Sequence, residues 1–159
     1  MVLEILKQFD PLLYALILCV TPVFELRAGI PVAIAAGYGA WFAFLVCSLV
    51  NLIAIPICYI FLETFHKIFY RVPLYRRLFD KYVEKLRRRS HKYMEKWGDY
   101  AIILFVALPI PGSGAYTGVL LSWLLGIKKR HMFLAVMIGV FIAGAIVTIL
   151  SASIINGFR

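Results

Sequence analysis

Apolar and polar positions divide the chain into four apolar blocks, with one strongly basic segment between the second and the third. The blocks cover residues 11–39, 41–62, 100–126 and 132–156, and the basic segment covers 71–97. The second and fourth blocks carry no charged residue and are long enough to cross a bilayer core about 30 Å thick. The sequence therefore predicts two spanning helices there, and two interrupted segments that need another explanation.

The first block, which contains TPVFELRAGIPVAIAAG, holds two charged residues between prolines. In a straight spanning helix, Glu25 and Arg27 would each cost roughly 2.5–3.5 kcal/mol near the bilayer centre. They are two positions apart, so on a helix they would point away from each other, whereas in an extended tip they would share a side. We predict a re-entrant hairpin over 11–39, with half-helices at 12–21 and 30–38.

The third block, which contains LPIPGSGAYTGVLLSWLLG, predicts a second re-entrant hairpin over 100–126. Irregular backbone at membrane depth is tolerated only where it is buried in protein or lines a wet cavity. Both hairpins are therefore expected to pack against the spanning helices. The residues predicted to break the helices are Pro22, Gly29, Pro31, Pro109, Pro111 and Gly118.

Positive charge provides an independent argument for the hairpins and for the orientation. Nine basic and three acidic residues lie between positions 76 and 96. If both interrupted blocks turn back, the basic loop 126–131 falls on the same side as segment 71–97, and the uncharged loop 37–40 falls on the other. Cytoplasmic loops carry such an excess of Lys and Arg. The prediction is a plasma-membrane protein with both basic stretches in the cytoplasm.

The two hairpins share a spacing that indicates an internal repeat. Residues lie seven and then eight positions apart in both: Pro22, Gly29 and Gly37 in the first hairpin, and Pro111, Gly118 and Gly126 in the second. A spanning helix follows each hairpin, and the hairpins enter from opposite sides. The predicted fold is an all-α integral membrane protein, a single domain over 1–159, in which 1–62 and 100–156 form an inverted repeat.

Composition excludes a soluble domain. The chain is 63% hydrophobic with a mean hydropathy of +0.89, and its 16% of charged residues is below the roughly 25% of soluble domains. The net charge of +9 is concentrated in segment 71–97, so nucleic acid is not expected as a partner. That amphipathic segment is predicted to lie on anionic lipid headgroups. Alternatively, it is a topology determinant and a solvated arm. Its lipid-facing cations would be Arg76, Arg77, Arg87, Arg88 and Arg89.

Residues at the two hairpin tips form the candidate site. If the tips meet, Arg27 offers a planar cation suited to phosphate or carboxylate, and Glu25 exchanges a proton. The free backbone N–H groups of Gly112, Ser113 and Gly114, at the start of the second half-helix, form an anion seat, and Tyr116 and Thr117 add hydroxyl groups. The predicted site is Glu25, Arg27, Gly112, Ser113, Gly114, Tyr116 and Thr117. Alternatively, Glu25 and Arg27 pair only to hold the hairpins together, and the second tip is a tight turn without a ligand.

Chemistry of other kinds is not indicated. The three cysteines lie inside apolar blocks without the spacing of a metal site or a disulfide framework, and no cofactor or metal is predicted. Ser113 has no histidine or lysine nearby in sequence to activate it, so an enzyme is not predicted. Four elements are few for enclosing a cavity, which favours a homo-oligomer. The small residues Ala135, Gly139 and Ala143 serve either internal packing or a dimer.

The segments TPVFELRAGIPVAIAAG and LPIPGSGAYTGVLLSWLLG resemble the two signature segments of the small multidrug export protein family, over nearly the whole chain. That family is similar to the DedA/VTT membrane proteins. The resemblance implies opposed re-entrant hairpins and transport of polyprenyl-phosphate carrier lipids or drugs, with proton dependence. This chain departs from the DedA pattern, since residues 109–126 carry no arginine.

The function expected from the sequence is therefore a proton-coupled secondary transporter of an anionic amphiphile, such as a polyprenyl-phosphate lipid. One alternative is a small multidrug exporter of cationic or lipophilic compounds. Another is a passive pore or a structural membrane subunit, which would show no proton dependence.

Overall fold

The computed structural model describes residues 10–97, 100–110 and 112–157, and every regular element in these ranges is a helix. The predicted all-α class is therefore confirmed. The elements, in chain order, are α1 (Pro11–Val20), α2 (Glu25–Ala35), α3 (Ala40–Leu52), α4 (Ala54–Ile60), a π-helical turn (Phe61–Phe65), α5 (His66–Phe69), α6 (Pro73–Trp97), α7 (Tyr100–Ala107), α8 (Ala115–Leu124) and α9 (Lys129–Gly157).

Two stretches of helix are long and apolar enough to cross a membrane, Ala40–Phe65 and Lys129–Ile155. The predicted span 41–62 lies within the first stretch, and the predicted span 132–156 lies within the second except for its last residue. The first of these stretches is not regular, because it breaks at Ile53 and widens into the π-helical turn near its end. Pro56 contributes to the irregularity, since it has no N–H to donate to the preceding turn.

The first interrupted block folds into two antiparallel helices. A Cβ atom on Gly29 of α2 would overlap the Cys19 sulfur and the Ala15 carbonyl oxygen of α1. In one continuous helix, Ala15 and Gly29 would be about 21 Å apart at 1.5 Å per residue. The chain therefore reverses between α1 and α2, and the missing side chain at Gly29 lets the two helices approach closely.

The third block has the same design. A Cβ atom on Gly118 of α8 would overlap the Val106 side chain of α7, although 12 residues of continuous helix would separate them by about 18 Å. α9 packs along the same helix, because a Cβ atom on Gly139 would also meet Val106. Gly144 approaches the Ser48 hydroxyl of α3. The small residues of α9 at these positions thus serve internal packing.

Several predicted helix breakers lie inside helices, and this corrects the sequence interpretation. Gly29 and Pro31 lie within α2, and Gly118 lies within α8. The second arm of the first hairpin begins at Glu25 and not at position 30, so Glu25 and Arg27 occupy a helical turn and not an extended tip. The reason is that the turn is completed within four residues. The breaks fall instead at Pro22 and Pro109, while Pro111 lies outside the described residues.

The open ends of the two hairpins lie at opposite ends of the spanning stretch Ala40–Phe65. The Tyr38 hydroxyl, just after α2, donates to Asp10 Oδ1 at 3.2 Å, and α3 begins two residues later. Trp123, near the end of α8, places its ring 5.3 Å from the His66 ring, centroid to centroid. The tips of the two hairpins therefore point towards each other between these ends.

The amphipathic helix α6 is attached to the bundle at the end where His66 lies. The His66 ring is buried, lies 4.3 Å from the Phe79 ring, and is 3.2 Å from the Tyr75 hydroxyl through Nδ1. The start of α9 is at the same end, because the Lys129 ammonium lies 4.8 Å above the Tyr59 ring. The basic segment and the basic loop before α9 therefore share one end of the molecule.

Candidate functional site

Glu25 bridges the two hairpins through the start of α8. Its carboxylate accepts hydrogen bonds from the backbone N–H groups of Ala115 at 3.2 Å and Tyr116 at 3.4 Å. The residue is only 5% exposed and has a φ of 52°, in the left-handed region that non-glycine residues rarely adopt. Helix N-termini carry unpaired N–H groups and partial positive charge. The Glu25 carboxylate thus occupies an anion seat at the start of α8. The sequence predicted this seat at the N–H groups of Gly112, Ser113 and Gly114, but those of Ala115 and Tyr116 form it, because the Ser113 N–H donates to the Ile110 carbonyl and the Gly114 N–H donates to Thr117.

Gly114 makes room for that carboxylate. A Cβ atom at Gly114 would overlap the carboxylate oxygens of Glu25, so only glycine permits this approach. Thr117 completes the start of α8, because its hydroxyl oxygen accepts from the Gly114 N–H at 2.7 Å. The N–H groups of the first turn are therefore shared between Thr117 and Glu25.

Arg27 binds the end of α7 in the same way that Glu25 binds the start of α8. Its guanidinium donates to the Leu108 carbonyl at 2.9 Å, to the Val106 carbonyl at 3.5 Å and to the Ser113 carbonyl. The Ser113 hydroxyl lies 3.2 Å from the same nitrogen and donates to the carbonyls of Leu108 and Ile110. A cation is favoured there, because the end of a helix carries partial negative charge.

The two charged residues therefore hold the second hairpin on both sides of its turn, at the end of α7 and at the start of α8. Within the described residues, Glu25 and Arg27 form no ion pair with each other. They link the two hairpins, as the structural alternative expected, but they do so through separate helix ends and not by pairing. We call the region where Glu25 and Arg27 meet the end of α7 and the start of α8 the junction. Another contact crosses it, since the Tyr116 hydroxyl donates to the Val20 carbonyl at the end of α1. α4 closes one side, where the Cys58 thiol lies 3.6 Å from the Tyr116 carbonyl.

Most of the chain matches the model of a known protein family. Residues 25–146 match the model of a family described as putative small multi-drug export protein. The chain belongs to this family. No curated protein and no solved structure matches it. The match begins at Glu25 and ends within α9, so it includes Glu25, Arg27 and the tip of the second hairpin in this export-family protein, whereas α1 and the turn at 21–24 precede it. Family and apolar helices together point to a membrane location.

A shallow, open apolar groove runs beside the junction in this export-family protein. Its volume is about 610 Å³, and it is lined by Leu16, Ile17, Val20, Thr21, Pro22 and Val50. None of these side chains is charged. The groove follows α1 to the tip of the first hairpin, where Val20 receives the hydrogen bond from Tyr116. The arrangement suits an apolar chain lying next to a charged junction.

The structure brings together six of the seven predicted site residues through direct contacts, namely Glu25, Arg27, Ser113, Gly114, Tyr116 and Thr117. The seventh, Gly112, lies in the turn before them with a φ of 83°, which requires glycine. Sequence reasoning missed the carbonyls of Val106 and Leu108 and the thiol of Cys58. Backbone carbonyls carry no residue-type signal, and Cys58 resembles any other small residue of an apolar span.

The structure describes the side chains of three of the five predicted lipid-facing arginines. Arg76 lies 5.3 Å above the Tyr70 ring and 3.9 Å from Asp80, and Arg88 pairs with Glu84 at 2.6 Å. Arg77 is exposed. The side chains of Arg87 and Arg89 lie outside the described part of the chain.

Proposed function

We propose that this chain is a proton-coupled secondary transporter of an amphiphile whose anionic headgroup exchanges with the Glu25 carboxylate at the start of α8. The observation that carries the proposal is the pair of hydrogen bonds from the Ala115 and Tyr116 N–H groups to Glu25. These two N–H groups already bind a carboxylate. A phosphate or carboxylate headgroup could therefore accept hydrogen bonds from the same two donors. A polyprenyl-phosphate lipid is one amphiphile of this class.

The proposed membrane arrangement is the one that places this seat near the bilayer midplane. α1 and α8 have 10 residues each, about 15 Å, which is half of a bilayer core. The hairpins point towards each other along Ala40–Phe65, which favours re-entry from opposite sides. An inverted repeat is supported by matched glycines, since Gly37 and Gly126 both end their hairpins with positive φ.

Exchange at the seat follows from the charge of Glu25. Protonation removes the negative charge that the N–H groups and the dipole of α8 favour, so the carboxyl group binds there less strongly. A headgroup then accepts from Ala115 and Tyr116, while the apolar tail lies in the groove. Arg27 offers a further donor, because its buried Nε has no acceptor among the described residues. Binding of the anion thereby requires uptake of a proton.

A second candidate is export of cationic amphiphiles, which the family description favours. In that mechanism the ionised Glu25 leaves α8 and pairs with the cation, and protonation of Glu25 releases it. Cation and proton would then compete for one carboxylate, which makes the protein an antiporter. The adjacent Arg27, at a part-buried position, opposes a bound cation and weighs against this candidate.

The two candidates differ in the direction of proton movement. Purified protein is reconstituted into liposomes containing a pH-sensitive dye, and either an alkyl phosphate or tetraphenylphosphonium is added outside. Anion–proton symport acidifies the lumen after alkyl phosphate is added, whereas cation–proton antiport makes the lumen alkaline after tetraphenylphosphonium is added. We expect acidification with alkyl phosphate.

Protein-free liposomes provide the baseline for proton movement carried by the amphiphile itself, and the difference from this baseline is the measured quantity. Substrate entry without any change in luminal pH would indicate a passive pore. If the luminal pH rises with tetraphenylphosphonium and does not change with alkyl phosphate, the protein is a cation–proton antiporter and the anion proposal is wrong.

We propose in addition that α6 lies on an anionic membrane surface. Leu74, Leu78 and Tyr82 are exposed at four-residue spacing, so they form an apolar row on one face of the helix. The exposed cations of the neighbouring row are Arg77, Lys81 and Lys85. Apolar side chains beside cations suit the headgroup layer, where each cation contributes about 1 kcal/mol.

A fluorophore on Leu78→Cys measures this contact, in a variant whose three native cysteines are replaced by alanine. In lipid nanodiscs, we expect blue-shifted emission with anionic lipid and a smaller shift with zwitterionic lipid. High salt should reverse the difference, because it screens the attraction. The matched control is Glu84→Cys on another face of α6. Equal spectra in both lipids would contradict the proposal.

A further inference from the structure

Two polar side chains are buried without partners in the middle of the first spanning stretch. Ser48 and Asn51 are both 0% exposed. The hydroxyl oxygen of Ser48 and both amide atoms of Asn51 have no hydrogen-bond partner among the described residues. Native structures rarely leave buried polar groups unpaired, because an unmade hydrogen bond in an apolar surrounding is costly. These groups therefore need a hydrogen-bond partner outside the described residues.

Asn51 lies at the level where the two hairpins meet. Cys47, four residues earlier, packs against Cys19 of the first hairpin, and Cys58, seven residues later, contacts Tyr116 of the second. Along a helix axis, these spacings are about 6 Å and 10 Å. Asn51 is thus placed between the part of the helix that contacts the first hairpin and the part that contacts the second.

The same position is the weak point of the spanning stretch. α3 ends at Leu52 and α4 begins at Ala54, with Ile53 between them. Pro56 cannot donate to the carbonyl of Leu52, so one hydrogen bond that would stiffen the break is missing. Discontinuous helices at such breaks bend more easily than regular ones.

We propose that Ser48 and Asn51 form a water-binding site that is closed in this structure and opens by bending at Ile53. An amide both donates and accepts, as a hydroxyl does, and water satisfies both kinds of group. A metal cation would leave the donors of the Asn51 Nδ2 unsatisfied. The role of this water rests on the proposed function, because it would deliver protons to the junction where Glu25 lies.

Thiol reactivity tests whether the site becomes wet. The cysteines at 19, 47 and 58 are replaced by alanine, and Ser48→Cys, which keeps the Asn51 amide, is compared with Val136→Cys, which is equally buried on α9. The probe is a small charged methanethiosulfonate reagent, applied to the full-length protein in liposomes. Because only an ionised thiol in contact with water reacts, Ser48→Cys should react at least about tenfold faster than Val136→Cys. Equal rates would overturn the proposal, and Asn51→Cys, which keeps the Ser48 hydroxyl, replaces Ser48→Cys if the latter does not fold.

A second variant tests whether opening satisfies the amide. Asn51→Leu keeps a similar volume and removes the unpaired groups, so it should favour the closed state. We expect its apparent melting temperature to rise by about 2–4 °C and the reactivity of Ser48→Cys to fall in the combined variant. A lower melting temperature, or unchanged reactivity, would show that the amide is a fixed structural group. Neither measurement involves transport, so this failure is distinct from failure of the exchange at Glu25.

Discussion

Replacing Glu25 with glutamine is expected to abolish proton movement while alkyl phosphate still binds. The neutral side chain cannot exchange a proton, and it holds the start of α8 less strongly than the carboxylate that now accepts from Ala115 and Tyr116. A hydrogen bond to a charged group contributes about 1.5–3 kcal/mol, which corresponds to about 10- to 100-fold in an equilibrium constant. Binding of alkyl phosphate to purified protein should therefore become at least about tenfold tighter, because the seat is vacated more easily.

Two variants control this result. Glu84→Gln removes a carboxylate from the exposed surface of α6 and should change neither binding nor proton movement. Glu25→Asp keeps a titratable group but shortens its reach to α8, so it should retain proton uptake with altered affinity. Normal coupled transport by a well-folded Glu25→Gln protein would remove this residue from the mechanism and leave it as a structural link between the hairpins.

Replacing Gly114 with alanine is expected to break the junction. The new Cβ atom would overlap the Glu25 carboxylate, while the backbone of Gly114, with a φ of −116°, is one that alanine adopts freely. The effect is therefore steric. Overpacking at a buried position costs about 1–3 kcal/mol. For a chain of this size the apparent melting temperature should fall by roughly 2–12 °C, as measured by thermal unfolding in detergent.

Gly39→Ala is the matched control, because Gly39 has no atom within 4 Å of the new Cβ and a φ of −59°. It should leave the melting temperature nearly unchanged. A double variant isolates the contact: Gly114→Ala combined with Glu25→Ala should lose less stability than the two single variants added together, since the overlapping carboxylate is gone. Strict additivity would mean that the two residues do not touch.

The charged residues of the junction were predictable from the sequence, but their partners were not. Glu25 and Arg27 stand out because ionisable groups in an apolar block are costly and need partners. Their residue type predicted that they need partners, but neither that the tips meet nor that each residue would bind a different helix end. That choice depends on the first turn of α2, where the two side chains diverge and reach α8 and α7 separately. The partners are backbone N–H and carbonyl groups, which every sequence contains.

The sequence alone determined the helical class, the two spanning stretches and the two interrupted blocks in which the chain turns. These follow from the length of apolar runs and from where proline, glycine and charge interrupt them, which are local properties. Only the tertiary structure decided that Gly29 and Gly118 are packing positions inside helices, that the Glu25 carboxylate fills the start of α8, and that Asn51 has no partner in the described part of the chain. Those outcomes depend on the distance between elements far apart in the chain, and residue spacing along one helix contains no information about what packs against it.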